Sequence, residues 1–315
     1  MTAISEPERL TASMPASAAL VAVLQGFRST VEQSLDEVIA DRDPESLHAF
    51  RVAVRRSRST LKLGAEVLKS VAAEQLKRDL KWLGDLSSPT RDLDVYIAGL
   101  PDMAAGLQTA QPVDLQPFGE YLRAQRDIAF TSLLSGLRSP RFHTILDNWR
   151  ALRPHTQPPG PGQPVSAGEL AAQRQEDAHR RVTERGRSIG PDSPPESLHD
   201  LRKRGKELRY LLEIFRPLHD PATHRAALKD LKALQEVLGS FQDAEVQSLA
   251  VRDFASALDS TQSSSAATVS AMDELATQLR DRQRDARAEF AAAFAAFDSA
   301  ASRARFSRLV GAETG

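Results

Sequence analysis

The sequence predicts an all-α protein, and three observations lead to that prediction. Helix-forming residues dominate the composition, whereas aromatic residues are few, at 12 Phe, 3 Tyr and 2 Trp among 315 residues. Few stretches alternate as a strand would, and apolar residues in the first recurring segment follow the spacing of a helix. That segment also recurs at a constant distance along the chain, which indicates duplication. We therefore predict two four-helix bundles side by side.

The duplication is clearest in one octapeptide. Residues 44–51, Pro-Glu-Ser-Leu-His-Ala-Phe-Arg, recur as residues 195–202, Pro-Glu-Ser-Leu-His-Asp-Leu-Arg, at an offset of 151 residues. The same offset matches the chain without a gap as far as Val95 and Val246. Beyond that point the register slips, and the resembling pairs are Leu122-Arg123 with Leu279-Arg280 and Arg141-Phe142 with Arg305-Phe306.

Segments rich in Pro, Gly and Ser divide the chain and each half is expected to hold about four helices. The predicted parts are a flexible tail over 1–19, a first repeat over 20–153, a Pro/Gly-rich linker over 154–168 and a second repeat over 169–310. The predicted helices lie near 20–40, 44–63, 70–98 and 116–150, the last with a break around 136–140, and near 169–188, 195–216, 222–257 and 268–308.

The first copy of the recurring segment is predicted to start a helix at Pro44, because Asp43 can cap it and Pro suits the first helical position. Ser193 is expected to play the same part in the second copy. A mostly apolar stripe should face the core and comprises Leu47, Phe50, Val54, Ser57 and Leu61. A second stripe, one residue further round, is basic and comprises His48, Arg51, Arg55 and Lys62, with Arg58 at its margin and Arg56 beyond.

The basic stripe recurs in the second copy, where acids dilute its charge. The matching residues are His199, Arg202, Lys206 and Arg209, with Lys203 alongside and the acids Asp200, Glu207 and Glu213 among them. Like charges at these spacings repel unless something neutralises them. Ion pairs to neighbouring helices are one explanation, and a bound anion is the other. The retention of the basic positions in both copies favours an anion, and the fork of Arg donors suits phosphate oxygens.

These segments resemble the paired signatures of the CHAD domain, the conserved histidine α-helical domain. The resemblance lies in residues 48–58 and 199–210, and the stretches from Leu83 to Val95 and from Leu238 to Ala244 resemble its following helix. It covers nearly the whole chain after the tail. The resemblance implies two tandem antiparallel four-helix bundles with pseudo-twofold symmetry, and basic side chains around a groove or pore that binds inorganic polyphosphate. The resemblance also implies an association with polyphosphate granules and with granule proteins, because some members of the family accompany such granules.

The resemblance also implies which residues bind. Carried over by position, they are His48, Arg51, Arg55, Arg56, Arg58, Lys62, His199, Arg202, Lys203, Lys206 and Arg209, with Lys81, Arg123, Lys232 and Arg280 as weaker candidates. The chain departs from the family pattern at Ser57, where Leu is usual, and at Gly205 and Glu207, which interrupt the second basic helix. We therefore expect the first copy to bind more strongly than the second.

Other functional classes fit the sequence less well. The absence of Cys excludes disulfides, Cys-ligated zinc and thiol nucleophiles. A net charge of -1 argues against a generally basic nucleic-acid binder, and Tyr210 is the one aromatic residue beside either basic stripe. Gly205-Lys206 lacks the rest of a phosphate-binding loop, and no His-Glu-x-x-His sequence occurs. We therefore predict no enzyme, catalytic residue, cofactor or metal site, and no specific nucleic-acid partner.

Two alternatives to polyphosphate binding stay open at this point. One is a helical scaffold or regulatory protein that recruits a protein partner. The other is a phosphohydrolase that pairs His48 with Asp92 or His199 with Asp243. No segment is apolar over the length that a membrane span needs and no signal peptide is recognised, so we expect a cytoplasmic protein that does not bind membranes. The resemblance adds polyphosphate granules as a location.

Overall fold

The structure, a computed structural model, describes residues 10–154, 164–261 and 265–311, and its regular elements there are helices apart from one isolated β-bridge. The α-helices are α1 Ala16–Ala40, α2 Pro44–Leu63, α3 Val71–Ala105, α4 Gln116–Leu137, α5 Pro140–Ala151, α6 Ala167–Arg187, α7 Pro195–Ile214, α8 Pro221–Thr261, α9 Ala266–Phe297 and α10 Ala300–Gly311. The prediction of an all-α fold is confirmed.

Most helices begin and end within a few residues of the sequence prediction. The break expected near Gly136 separates α4 from α5, and a matching break after Phe297, which the sequence did not reveal, separates α9 from α10. The predicted tail extends too far, because α1 begins at Ala16 and Leu10 is buried. Residues 1–9 of that tail and 155–163 of the predicted linker lie outside the described residues.

The chain forms two compact units, and each takes helices from both halves of the sequence. The first unit comprises the described residues up to Ser88, from Leu134 to Lys232 and from Ala296 onward, and the second comprises Pro89–Leu133 and Ala233–Ala295. The long helices α3 and α8 therefore contribute to both units. The compact units do not coincide with the predicted repeats, so the prediction of tandem bundles is not confirmed.

In the first unit α1 packs on α2, α6 packs on α7, and α2 crosses α7. The two central helices α2 and α7 begin and end at residues that are 151 positions apart, as the repeat requires. The isolated β-bridge joins Pro15 to Ser166, which are also 151 positions apart. A direct contact between equivalent residues is what a pseudo-twofold relation between two copies produces.

The second unit is built from parts of α3, α4, α8 and α9 around its own apolar core. That core includes Tyr96, Met103, Phe118, Leu122, Val251, Phe254, Met272 and Leu279. The Tyr96 hydroxyl donates to the carbonyl of Gln247, its equivalent residue, at 3.2 Å, and burial raises the pKa of Tyr96. Equivalent residues therefore also meet inside this unit.

Glu274 on α9 forms hydrogen bonds with the segment between α3 and α4. Its carboxylate accepts hydrogen bonds from the Thr109 hydroxyl at 2.7 Å, from the backbone N–H of Gln108, and from that of Ala110 at 3.0 Å. These hydrogen bonds lower the pKa of Glu274 to about 2. The folded-state pKa lies below 4.5, the ordinary pKa of a glutamate, so the stabilisation is present above that pH and is lost as the pH falls towards 2.

We expect Glu274→Gln to lower the melting temperature at pH 7, because a neutral amide accepts these hydrogen bonds less well. The difference from the natural protein should shrink as the pH falls from 4.5 towards 2. Circular dichroism melts over that range measure it. Glu289→Gln, at an exposed position of the same helix, is the control. Equal melting temperatures for Glu274→Gln and the natural protein at pH 7 would show that the carboxylate does not stabilise the connection.

Candidate anion-binding site

Local sequence positions the basic stripe of α2 as predicted. The Asp43 carboxylate accepts from the N–H of Glu45 at 2.9 Å, and Pro44 occupies the first helical position. All five residues of the predicted core stripe are buried, and the Ser57 hydroxyl donates to the carbonyl of Ala53 at 2.8 Å. The basic side chains therefore lie off the core face, with Arg55 exposed on the outside of the helix.

The second copy starts its helix differently from the prediction. The residue before α7 is Pro194, which has no side chain that could cap the helix. Ser193 instead accepts a hydrogen bond from the N–H of Gly190 at 2.9 Å, so its predicted role as the helix cap is wrong. Two consecutive prolines separate Ser193 from the free N–H groups of the first turn.

An open cleft of about 460 Å³ lies between α2 and the part of α3 that belongs to the first unit. We call it the basic cleft, and its lining residues are Arg55, Arg58, Ser59, Lys62, Glu74, Lys77, Arg78 and Lys81. Six of these eight side chains are cationic and one is acidic. The positive charge of two helices is therefore concentrated on one concave surface, where it attracts anions.

Some cations of the basic cleft have acidic partners at its edge. Lys81 pairs with Asp85 at 2.6 Å, and Lys77 pairs with Glu74 at 3.6 Å. All four of these side chains are exposed to solvent. Exposed pairs of this kind contribute little to stability, so an incoming anion can replace the carboxylate at small cost.

Arg55 and Arg58 differ from these lysines, because neither forms an ion pair with any residue that the structure describes. The guanidinium of Arg55 lies over the ring of Tyr210 at 5.4 Å from its centroid. The Arg58 side chain lies against Gly84 on α3. The two arginines therefore bring positive charge to the basic cleft without an ion pair to any carboxylate of the described residues.

Two ion pairs join α2 to α7 where the helices cross. Arg56 pairs with Glu213 at 2.5 Å, and Lys62 pairs with Glu207 at 2.9 Å. The offset of 151 makes Glu207 the equivalent of Arg56, and Glu213 the equivalent of Lys62. The pseudo-twofold relation therefore maps the positions of one ion pair onto those of the other. In both pairs the cation belongs to the first copy. Two of the three acids that dilute the charge of the second copy are the partners of these cations, whereas Asp200 pairs with Arg185 and Arg204.

Glu213 holds two arginines at this crossing. In addition to Arg56, it accepts from the Nε–H of Arg209 at 2.8 Å. The side chains of Arg56 and Glu213 are only 16% and 17% exposed. Arg56 and Arg209 therefore share one carboxylate, and neither of them lines the basic cleft.

The other predicted binding residues divide by location. Those that line the basic cleft are Arg55, Arg58, Lys62 and Lys81. Those on the same unit that do not line it are His48, Arg51, His199, Arg202, Lys203, Lys206 and Lys232. The remaining two, Arg123 and Arg280, belong to the second unit. No cluster of three or more His, Asp or Glu side chains in the described ranges is arranged to hold a metal ion.

Sequence reasoning missed two cations of the basic cleft, Lys77 and Arg78. Lys81 follows Arg78 by three residues and Lys77 by four, so the three cations lie on one side of the first turns of α3. That spacing was available as a signal, because residues four apart share a helix face. The sequence alone did not show that this face lies beside α2.

Comparison with known proteins agrees with the fold. The CHAD domain profile matches residues 22–252, which is more than half of the chain. The chain belongs to the CHAD domain family. A curated relative, the uncharacterized protein Rv2226 of Mycobacterium tuberculosis, is 28% identical in an alignment 226 residues long that covers 69% of this chain and 42% of the relative. The present chain thus spans about two fifths of the length of that relative.

Two solved structures share the fold. The CHAD domain from the plant Ricinus communis is 26% identical with a TM-score of 0.74, and the alignment covers 93% of this chain and 96% of that one. PptA from Streptomyces chartreusis is 20% identical with a TM-score of 0.68, over 89% of this chain and 99% of that one, and supports the fold alone. Among the described helices, none combines the length and apolarity needed to cross a membrane.

Proposed function

We propose that this CHAD domain protein binds inorganic polyphosphate, and that the basic cleft is a principal contact. The observation that supports the proposal is the charge of the basic cleft, where six cations face one acid and Arg55 and Arg58 have no carboxylate partner among the described residues. A chain of phosphates offers a regularly spaced series of negative charges that can neutralise several of these cations at once.

The shape of the basic cleft suits a linear polyanion. Its volume of about 460 Å³ is open to solvent, so a long chain can cross it and continue beyond both ends. Arginines on the α2 side offer forked donors for phosphate oxygens, and lysines on the α3 side add point charges. Longer chains should therefore bind more tightly, because they can also reach cations outside the cleft.

The lining also favours polyphosphate over single-stranded nucleic acid. None of the eight lining residues is aromatic. Tyr210, which lies under Arg55, is 6% exposed and offers no face on which a base could stack. Proteins that bind single strands without sequence preference depend on such stacking.

The first copy is expected to supply most of the affinity. At the positions that match the basic cleft, the second copy carries Glu213 instead of Lys62 and Leu228 instead of Lys77, whereas Arg225 stands in place of Glu74. These positions therefore hold five cations and one acid in the second copy, against six cations and one acid in the first.

Titration with polyphosphate of several lengths at two salt concentrations tests the proposal. Affinity should rise with length and fall steeply with salt, because neutralised phosphates release their condensed counterions. Single-stranded DNA of equal charge should bind more weakly. Equal affinity for all lengths, or tighter binding of DNA, contradicts the proposal. We further propose binding without catalysis, so the length of the polyphosphate should be unchanged after incubation.

Glu207 is expected to restrain the affinity for polyphosphate. Its carboxylate lies 2.9 Å from Lys62 and 3.7 Å from Arg181, so it competes with phosphate for the Lys62 ammonium. Glu207→Gln should strengthen binding roughly threefold. A change of that size lies within the range of free energies measured for a solvent-exposed ion pair. The control Glu176→Gln changes net charge equally at an exposed site of α6 and should have a smaller effect. Weaker binding by Glu207→Gln would contradict this competition.

We also propose that the same contact retains the protein on polyphosphate granules. A fluorescent fusion in cells that accumulate polyphosphate should concentrate on the granules, whereas a fusion with Arg55→Glu and Arg58→Glu should spread through the cell. Retention of that variant on the granules would show that another surface of the protein directs it there.

A further inference from the structure

Gly84 on α3 lies directly beneath the Arg58 side chain, which crosses to it from α2. A Cβ atom at Gly84 would lie 2.9 Å from Nη1 of Arg58, 3.9 Å from Cζ and 4.0 Å from Cδ. A carbon at the first of these distances would overlap the guanidinium, so the present position of Arg58 requires the absence of a side chain at residue 84. The glycine otherwise carries the cost of a poor helix former inside a long helix.

The second copy has no glycine at the equivalent position, and its arginine has a different partner. The equivalents of Arg58 and Gly84 are Arg209 and Gln235. Arg209 donates to Glu213, four residues further along its own helix, at 2.8 Å. The residue four positions after Arg58 is Lys62, which repels a guanidinium. Arg58 therefore has no acid four residues along its own helix with which to pair. It packs instead against α3 at Gly84.

We propose that Gly84 is a positioning residue of the basic cleft, which keeps the Arg58 guanidinium against α3 and ready to bind phosphate. The inference rests on the proposed function and adds that a residue without charge, Gly84, contributes to the affinity for polyphosphate. A guanidinium that is already placed loses less side-chain freedom when the ligand binds. In this position it also joins the α2 and α3 cations, so that one phosphate can contact both helices.

Gly84→Ala tests this role, because only the flexible end of Arg58 must move to admit the methyl group. The matched control is Gly239→Ala in α8, where a Cβ would meet no atom within 4 Å. Alanine is the better helix former, so both variants should melt at higher temperature than the natural protein. Gly84→Ala should nevertheless bind polyphosphate about three- to tenfold more weakly. We expect this loss because the charge-assisted hydrogen bond from Arg58 to phosphate is weakened but not abolished. Gly239→Ala should bind as the natural protein does.

A double-mutant cycle separates positioning from a general effect on α3. In a protein that carries Arg58→Ala, the further change Gly84→Ala should cause no additional loss of affinity. An additional loss as large as in the natural background, or unchanged affinity of Gly84→Ala alone, overturns the inference.

A measurement without ligand distinguishes this inference from the proposed function. The NMR signal of the Arg58 Nε–H, assigned by its disappearance in Arg58→Ala, should shift in Gly84→Ala and stay unchanged in Gly239→Ala. A constant signal overturns the placement of Arg58 whatever the protein binds. If the natural protein fails to bind polyphosphate while the signal shifts as expected, the proposed function is wrong and the placement of Arg58 is right.

Discussion

The double variant Arg55→Glu with Arg58→Glu is expected to bind polyphosphate at least about a hundredfold more weakly than the natural protein. Each change removes a charge-assisted hydrogen bond, about 1.5 to 3 kcal/mol when the donor is charged, and adds a repulsive carboxylate. Neither arginine forms an ion pair within the described part of the chain, so the loss comes from the ligand rather than from the fold. The slope of affinity against salt should also become shallower, because fewer phosphates are neutralised.

A matched control separates this effect from the change in net charge. Arg138→Glu with Arg282→Glu alters the charge by the same amount at exposed positions outside the basic cleft. That control should weaken binding only modestly, through long-range repulsion that salt screens. Isothermal titration calorimetry gives the affinities, and circular dichroism checks the helical content. If the two double variants weaken binding equally, the basic cleft is not the site.

The second large effect concerns stability. Glu213→Gln should lower the free energy of unfolding by about 2 kcal/mol, because it leaves Arg56 and Arg209 without their shared carboxylate. That figure lies below the cost of breaking a fully buried pair, since the Arg209 side chain is 37% exposed and solvent can take over part of its charge.

Urea unfolding measures this loss, and Asp147→Asn serves as the control. Asp147 pairs with Arg150 at 3.1 Å, but its side chain is 71% exposed, so its loss should cost less than about 0.5 kcal/mol. Replacing Arg56 and Glu213 together by Met should recover part of the stability, because Arg56 is then no longer left as an uncompensated charge, whereas Arg209 still lacks its carboxylate. Equal unfolding free energies for Glu213→Gln and the natural protein would show that the crossing does not depend on this carboxylate.

Much of the local structure could be predicted from the sequence. The spacing of Leu47, Phe50 and Val54 defined the buried face of α2, and Asp43 with Pro44 defined its first turn. These features depend on residues within a few turns of one another, which is the range that periodicity and capping describe. Ser193 failed as a cap because two prolines follow it and place Pro194 at the start of the helix.

The arrangement of the site depends on contacts between distant segments, which periodicity does not contain. The sequence showed that Glu207 and Glu213 lower the charge of the second copy, but not that they face Lys62 and Arg56 of the first. It likewise did not place Lys77 and the rest of the α3 cations beside α2. The same limit applies to the compact units, which join helices from both halves of the chain.

At the crossing of α2 and α7 the two copies carry opposite charges, because both cations belong to the first copy and both acids to the second. A chain assembled from two first copies would bring an arginine at position 56 against a lysine at position 62 twice, once on each side of the crossing. A chain assembled from two second copies would bring glutamates together at both places. Each copy has therefore become a specific complement of the other. The residues at these two positions therefore permit only the mixed pairing of a first copy with a second.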